Sequence, residues 1–176
     1  MKKNIFDFVK FCPKCGTKLG KLFLGRQIIC RNCGLNFYLN SVPTAAAILS
    51  NKKGEILLVR RKFDPKKGFW DLPGGFIELY ETFDNGIKRE IKEELGVDIG
   101  NLLYSGSSAD TYQFKGITYS TVTAVYYGTI EGNIYPGDDV DDFSFFNPRE
   151  LPFKNFAFPS LARVIKKFIK VLDSSA

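Results

Sequence analysis

Apolar residues recur along this chain with two periods. Phe83, Ile87 and Ile91 stand at i, i+4 and i+8, a stripe on one side of a helix. Thr82 precedes them as a candidate N-cap and Gly96 follows as a C′ stop, so the spacing predicts a helix between them. Leu161, Val164, Ile165, Phe168 and Leu172 repeat the helical period within "PSLARVIKKFIKVL" (159–172), a second amphipathic helix suited to lie on a sheet. Elsewhere the pattern is that of strands. "TAAAILS" (44–50) and "EILLVRR" (55–61) flank the turn "NKKG", and the stretches 101–114 and 117–130 flank Lys115-Gly116. "FSFF" (143–146) reads as one more short strand, while 62–75 and the acidic "GNIYPGDDVDD" (132–142) read as loops. Strands flanked by two helices predict an α/β layered domain. Ser41-Val42-Pro43 marks a boundary, giving a module at 1–41 and a larger domain at 42–176.

Composition fits that picture: 176 residues, 44% hydrophobic and 25% charged, suit one globular domain with a small appendage. No stretch reads as a membrane span. The opening "MKKNIFDFVKFC" is broken by Asp7 and Lys10 and has no small-residue cleavage site, so a cytoplasmic protein is expected. Charge is unevenly spread. Residues 1–40 carry eight lysines and arginines against Asp7 alone, a net of +7, whereas the remainder carries 17 cations against 18 acids. An anionic partner for the first segment is one reading, a solvated soluble module the other. Histidine is absent, which excludes a Ser-His-Asp triad, a Cys-His dyad and any histidine metal site.

All four cysteines lie in that basic segment: "CPKCG" gives Cys12 and Cys15, and "CRNCG" gives Cys30 and Cys33. Two C-x2-C knuckles, each followed by the glycine a sharp turn needs, can supply four thiolates to one tetrahedral Zn²⁺. Between them "KLFLG" and "RQIIC" read as a short hairpin, so the piece resembles a zinc ribbon. About forty residues bury too little apolar surface to fold alone, so zinc supplies folding free energy. Four thiolates leave no open position, which makes the zinc structural.

"REIKEELG" (89–96) poses a different problem. Glu90, Glu93 and Glu94 share one helix face close to its C-terminal end, where both mutual repulsion and the helix dipole oppose negative charge. A solvated face tolerates that at small cost. Alternatively a hard divalent cation such as Mg²⁺ offsets the charge, with Glu90 and Glu94 sharing it and Glu93 beside them.

The neighbourhood decides between these. "GFIELYETFDNGIKREIKEELGV" (Gly75 to Val97) contains Gly, five free residues, Glu, seven free residues, then Arg-Glu-aliphatic-x-Glu-Glu-x-Gly-aliphatic. Every specified position of the Nudix box is met, so the chain resembles a Nudix hydrolase over about 42–176. The resemblance implies an α/β/α sandwich with a mixed β-sheet, here preceded by the small zinc ribbon. It also implies hydrolysis of a nucleoside diphosphate derivative with Mg²⁺ or Mn²⁺. By the same resemblance Glu90 and Glu94 are the main metal ligands, Glu93 a further ligand or water-orienting carboxylate, and the Gly75 carbonyl part of the metal shell. Arg89 and Glu81 form the pair that braces the loop.

A ribbon ahead of a Nudix domain is similar to the arrangement in NADH pyrophosphatases. Their Ser-Gln-Pro-Trp-Trp-type motif does not occur here, where "SSADTYQF" stands after the box. ADP-ribose hydrolases tend to carry a proline about sixteen residues past the box, and this chain has none there. Dinucleoside polyphosphate hydrolases tend to carry a tyrosine there, and Tyr112 stands near that place. An additional catalytic carboxylate beyond the box would come from "GDDVDD", with Asp139 the first choice and Asp138 the second. Arg60, Arg61, Lys66 and Lys67 are candidates for phosphate contacts, and Trp70, Phe69 or Phe158 for stacking on a base. Gly86 interrupts the helix at about 1 kcal/mol relative to alanine, which close packing on the sheet would explain. A second function is a nucleotide-sensing regulator that binds nucleic acid through the ribbon, disfavoured by the intact glutamate set. A third reading makes the ribbon a module for homodimerisation or docking only.

Overall fold

The structure is a computed structural model that describes residues 3–4, 8–19, 27–137 and 139–174. The expected strand "KLFLG" and Asp138 lie outside the described residues. In chain order the strands are β1 (Lys3–Asn4), β2 (Gln27–Ile29), β3 (Asn36–Tyr38), β4 (Val42–Ser50), β5 (Ile56–Arg61), β6 (Trp70–Asp71) and β7 (Gly74–Phe76). Helix α1 (Phe83–Leu95) follows, then β8 (Leu103–Phe114), β9 (Ile117–Thr129), β10 (Val140–Phe146), a 3-10 turn at Phe153–Asn155 and α2 (Pro159–Ser174). The chain divides into two compact units, one of residues 1–42 with 111–121 and one of 43–110 with 122–176.

In the second unit the sheet runs β9-β4-β5-β10, with β7 on β4 and β6 on β5. The β4–β5, β5–β10, β4–β7 and β5–β6 pairs are antiparallel, and in the first unit Lys3 and Asn4 of β1 pair in parallel with Ile117 and Thr118 of β9, so the sheet is mixed. Strand alternation sorts β4 and β5 into two cores. Ala45, Ala47, Leu49, Leu57 and Val59 pack with Ile87, Ile91 and Leu95 of α1. Ala46, Ile48, Ile56 and Leu58 pack with Leu161, Ala162 and Ile165 of α2. A sheet buried between two helices is the α/β/α sandwich the sequence implies. Among the described residues no helix is long and apolar enough to cross a membrane.

Several expectations need correction. Val42 and Pro43, placed at the boundary, are the first two residues of β4, and the Pro43 carbonyl accepts from Ile77 N–H at 3.1 Å. The stretch 62–75 is not all loop, since β6 and the start of β7 lie within it. β10 begins at Val140, so Asp141 and Asp142 belong to a strand. That strand ends the sheet order, and charge is a common protection of an edge. Phe83 is 37% exposed, and Leu95 instead completes the buried stripe of α1.

Candidate active site and metal centre

Helix α1 is held at both ends by local chemistry. Thr82 Oγ accepts from Asn85 N–H at 3.3 Å, and Gly96 closes the far end with φ 72° and an N–H to the Lys92 carbonyl at 3.0 Å. At about 100° per residue, Glu94 lies only about 20° around the helix from Ile87. Seating Ile87, Ile91 and Leu95 in the core therefore draws Glu94 inward, while Glu93, on another flank, keeps its side chain 58% exposed.

The strand β7 meets these carboxylates with glycine backbone. Gly74 N–H donates to Glu94 Oε2 at 2.9 Å. A Cβ on Gly75 would sit 2.5 Å from the carboxyl carbon and both oxygens of Glu90, so any larger residue would displace that carboxylate. Burial pushes the Glu94 carboxyl up to about 8 against the Gly74 hydrogen bond, and the nearby Glu90 charge adds to the rise. Burial also raises Glu90, opposed by Arg89. Two half-desolvated carboxylates beside an open backbone are a donor set that fits a hard divalent cation.

Arg89 organises the rest. Its Nε and Nη2 donate to the two oxygens of Glu81, each at 3.0 Å, and Nη2 also reaches the Phe76 carbonyl at 2.9 Å. Nη1 donates to Glu90 Oε1 and to Glu93 Oε2, each at 3.0 Å. These bonds hold the Glu81 carboxyl below its ordinary range and raise the guanidinium further above its own. Gly86 has its explanation in the same loop. A Cβ there would lie 2.5 Å from Ile77 Cδ1 and 2.9 Å from Glu81 Oε2, so the helix packs closely on the box loop rather than on the sheet.

The loop after β9 docks on the carboxylate end of α1. Tyr135 N–H reaches the Leu95 carbonyl at 3.0 Å and Gly137 N–H the Glu94 carbonyl at 2.7 Å, satisfying acceptors a helix end leaves open. A Cβ on Gly137 would lie 1.9 Å from the Glu93 carbonyl oxygen. Asp139 follows two residues later, exposed, its carbonyl accepting from Lys62 N–H at 3.2 Å.

The remaining candidates are spread out. Arg61 is committed: Nε donates to the Pro65 carbonyl at 2.9 Å, Nη1 pairs with buried Asp71 at 3.2 Å, and the guanidinium lies 5.4 Å from the Phe158 ring centre. Burial raises Asp71 to about 6 despite that pairing. Arg60 is exposed, bonds the Gly68 carbonyl at 3.3 Å and lies 5.8 Å from the Trp70 ring centre. Trp70 is half-buried, edge-on to Phe146 at 5.1 Å. Lys66 stands 5.3 Å from the Phe69 ring centre. Tyr112, half-buried in β8, falls within the first unit, whereas the glutamates fall within the second. The sequence reading missed Gly74, Asp71 and Gly137. "LPGG" and the glycine ahead of "DDVDD" were visible signals, but only tertiary pairing gives them meaning.

The four cysteines converge in the first unit. Cys12 N–H bonds the Thr17 carbonyl and Gly16 N–H the Cys12 carbonyl; Cys30 with Leu35 and Gly34 with Cys30 repeat the pattern. Gly16 and Gly34 turn with φ 69° and 70°. The four sulfurs lie within 4.8 Å of one another, with Cys12–Cys33 at 3.7 Å and Cys15–Cys30 at 3.6 Å. A tetrahedron with Zn–S of about 2.3 Å has edges of about 3.8 Å, so the donor set fits Zn²⁺. The Thr17 hydroxyl and backbone pull the Cys15 thiol down to about 5.

Comparison with known proteins agrees with this geometry. The NUDIX domain family matches residues 40–168. The ADP-ribose pyrophosphatase of Methanocaldococcus jannaschii is 36% identical over 168 residues, covering 89% of this chain and 96% of that protein. The NAD-capped RNA hydrolase NudC of Pseudomonas aeruginosa is 31% identical over 145 residues, covering 81% of this chain and 49% of that protein. The chain thus spans about half the length of that curated relative. The crystal structure of a Nudix hydrolase from Nitrosomonas europaea superposes with a TM-score of 0.61 at 26% identity, covering 90% of this chain and 91% of the other. The box, the sandwich that carries it and these matches lead to one conclusion: this chain belongs to the Nudix family.

Proposed function

We propose that the chain is a divalent-metal-dependent pyrophosphohydrolase of a nucleoside diphosphate derivative, with ADP-ribose its foremost substrate. The carrying observation is geometric: Glu94 bonds Gly74 N–H at 2.9 Å while the Glu90 carboxyl stands against Gly75, so two carboxylates converge on one strip of glycine backbone. The near full-length likeness to an ADP-ribose pyrophosphatase supports the substrate, ahead of NADH or a dinucleoside polyphosphate. Glu90, Glu94 and the Gly75 carbonyl would hold Mg²⁺ or Mn²⁺, which when bound neutralises phosphate charge and lowers the pKa of an attacking water. Glu93 is the carboxylate free to swing from Arg89 and orient that water or take its proton, and Asp139 the second candidate for that task. Arg89 fixes Glu81, Glu90 and Glu93 at once. Arg60 and Trp70 offer a cation and a ring for a phosphate and a base, and Arg61 contributes through its field. The water oxygen bonds to one phosphorus, the bridging P–O bond breaks, and the departing phosphate keeps the electron pair. A nucleoside monophosphate and a phosphorylated remainder result.

We assign residues 1–41 to a structural zinc ribbon and 42–176 to the catalytic domain. Four unpaired thiols fit a cytoplasmic setting. A homodimer through the ribbon is tested by sedimentation of the full chain; a monomer removes it. Activity is tested by product analysis with Mg²⁺ or Mn²⁺ and ADP-ribose, NADH, NAD⁺ and a dinucleoside polyphosphate, beside Glu93→Gln. Metal-dependent monophosphate from ADP-ribose, lowered at least about a hundredfold in the variant, is expected. No turnover of any of them by folded, zinc-loaded protein would overturn the proposal.

A further inference from the structure

We propose that the first unit is a binding surface for single-stranded nucleic acid, a role beyond the hydrolysis and independent of it. Residues 1–42 and 111–121 contain nine lysines and arginines against Asp7 alone, a formal +8. Four thiolates on one Zn²⁺ lower this by two, leaving +6 on about fifty residues, whereas the second unit is net acidic.

The metal cluster gives part of this charge a place. The Cys15–Cys30 separation of 3.6 Å joins the two knuckles, and Lys14 and Arg31, both exposed, are the sequence neighbours of those two cysteines. Asn32 reaches across with Nδ2 at 3.7 Å from Cys15 Sγ. Strand β2 leads directly into the second knuckle, and its pairing with β3 sets Gln27 opposite Tyr38 and Ile29 opposite Asn36. Those four share one face, while Ile28 on the other face is buried. Tyr38 is 54% exposed, and Gln27 Nε2 donates to its hydroxyl at 3.2 Å and to Asn36 Oδ1 at 2.9 Å, which fixes the ring and both amides. Phe11, a second exposed aromatic residue at 60%, pairs through its backbone with Lys18 and follows Lys10 in sequence.

A unit with nine cations against one acid that also exposes aromatic rings offers what a flexible phosphate strand with stackable bases requires. An acidic polypeptide would use the cations but not the rings, and a second copy of the chain would bring the same positive charge and be repelled.

The test is fluorescence anisotropy of the zinc-loaded full chain with labelled single-stranded RNA and DNA and the matching duplexes. Wild type is compared with the double variant Lys14→Glu/Arg31→Glu and with Tyr38→Ala, each checked for zinc content and small-substrate turnover. Strand binding is expected to weaken with salt, at about 0.7 log unit per log unit of salt for each phosphate neutralised. The double variant should weaken it by about tenfold or more, and Tyr38→Ala by about fivefold or more, with zinc and turnover retained. The better of RNA and DNA identifies the natural strand. No binding at low salt, tighter binding of duplex, or indifference to both variants overturns the proposal. So does binding that Tyr38→Ala leaves intact and polyglutamate competes away, and so does a dimer that Tyr38→Ala dissociates.

Discussion

Replacing Gly137 by alanine tests how the carboxylate end of α1 is held. The new Cβ would start 1.9 Å from the Glu93 carbonyl oxygen and 3.1 Å from Glu94 Cα. An ordinary C···O contact is about 3.3 Å, so loop or helix must give by about 1.4 Å. That shift breaks the 2.7 Å bond from Gly137 N–H to the Glu94 carbonyl. Overpacking costs about 1–3 kcal/mol and the lost hydrogen bond about 1 more, together about 2–4 kcal/mol. At about 2–4 °C per kcal/mol for a domain of this size, melting should fall by about 5–15 °C. Should the helix end move rather than the loop, Glu93 and Glu94 shift by about an ångström, worth about a hundredfold in kcat. Thermal melting and steady-state turnover measure both effects. Gly100→Ala, with nothing within 4 Å of its Cβ, serves as control and should change neither. A Gly137→Ala protein that melts within about 1 °C of wild type with full activity would refute the docking of this loop on the helix.

The remaining predictions concern charge and metal. Burial raises Glu94 from 4.5 to about 8, so the folded carboxyl holds its proton more tightly than the unfolded one. Its contribution to stability is therefore greatest below pH 4.5 and is lost as pH rises towards about 8. Melting without divalent metal should decline across that window; Mg²⁺ should restore more stability near pH 8 than near pH 6, and Glu94→Gln should remove both effects. Arg89→Lys keeps the charge but loses the fork on Glu81, so kcat should fall by about tenfold or more, read by steady-state kinetics at saturating metal. Cys15→Ser, or a strong chelator, should release zinc and abolish the protection of the Ile28 and Cys30 amides against hydrogen exchange.

Local chemistry was the legible part of this fold. Thr82, Gly96 and the Ile87–Ile91 spacing announce α1 because caps and periodicity act within a few residues. The two knuckles are equally local, and their spacing predicted the convergence of the four sulfurs. Phe83 misled because a stripe repeated every four residues drifts by about 40° per step, which carries its first member to the edge of the buried face. Gly74 and Gly75 read as loop because the pairing that makes them strand comes from Ala45 and Ala46, some thirty residues earlier. Gly137 read as part of an acidic turn, since its constraint lies in the backbone of Glu93 and Glu94. Arg61 and Arg60 are adjacent in sequence, yet alternation along β5 gives one to Asp71 and leaves the other exposed. Neighbouring cations of one type cannot be told apart without that partner.

Binding of a divalent cation by Glu90 and Glu94 is measured by manganese titration followed by electron paramagnetic resonance. Titration of Mn²⁺ into zinc-loaded wild type should show bound ion that Mg²⁺ displaces, with binding lost or weakened at least about tenfold in Glu90→Gln and Glu94→Gln. Manganese bound equally well by wild type and both variants would exclude Glu90 and Glu94 as the ligands.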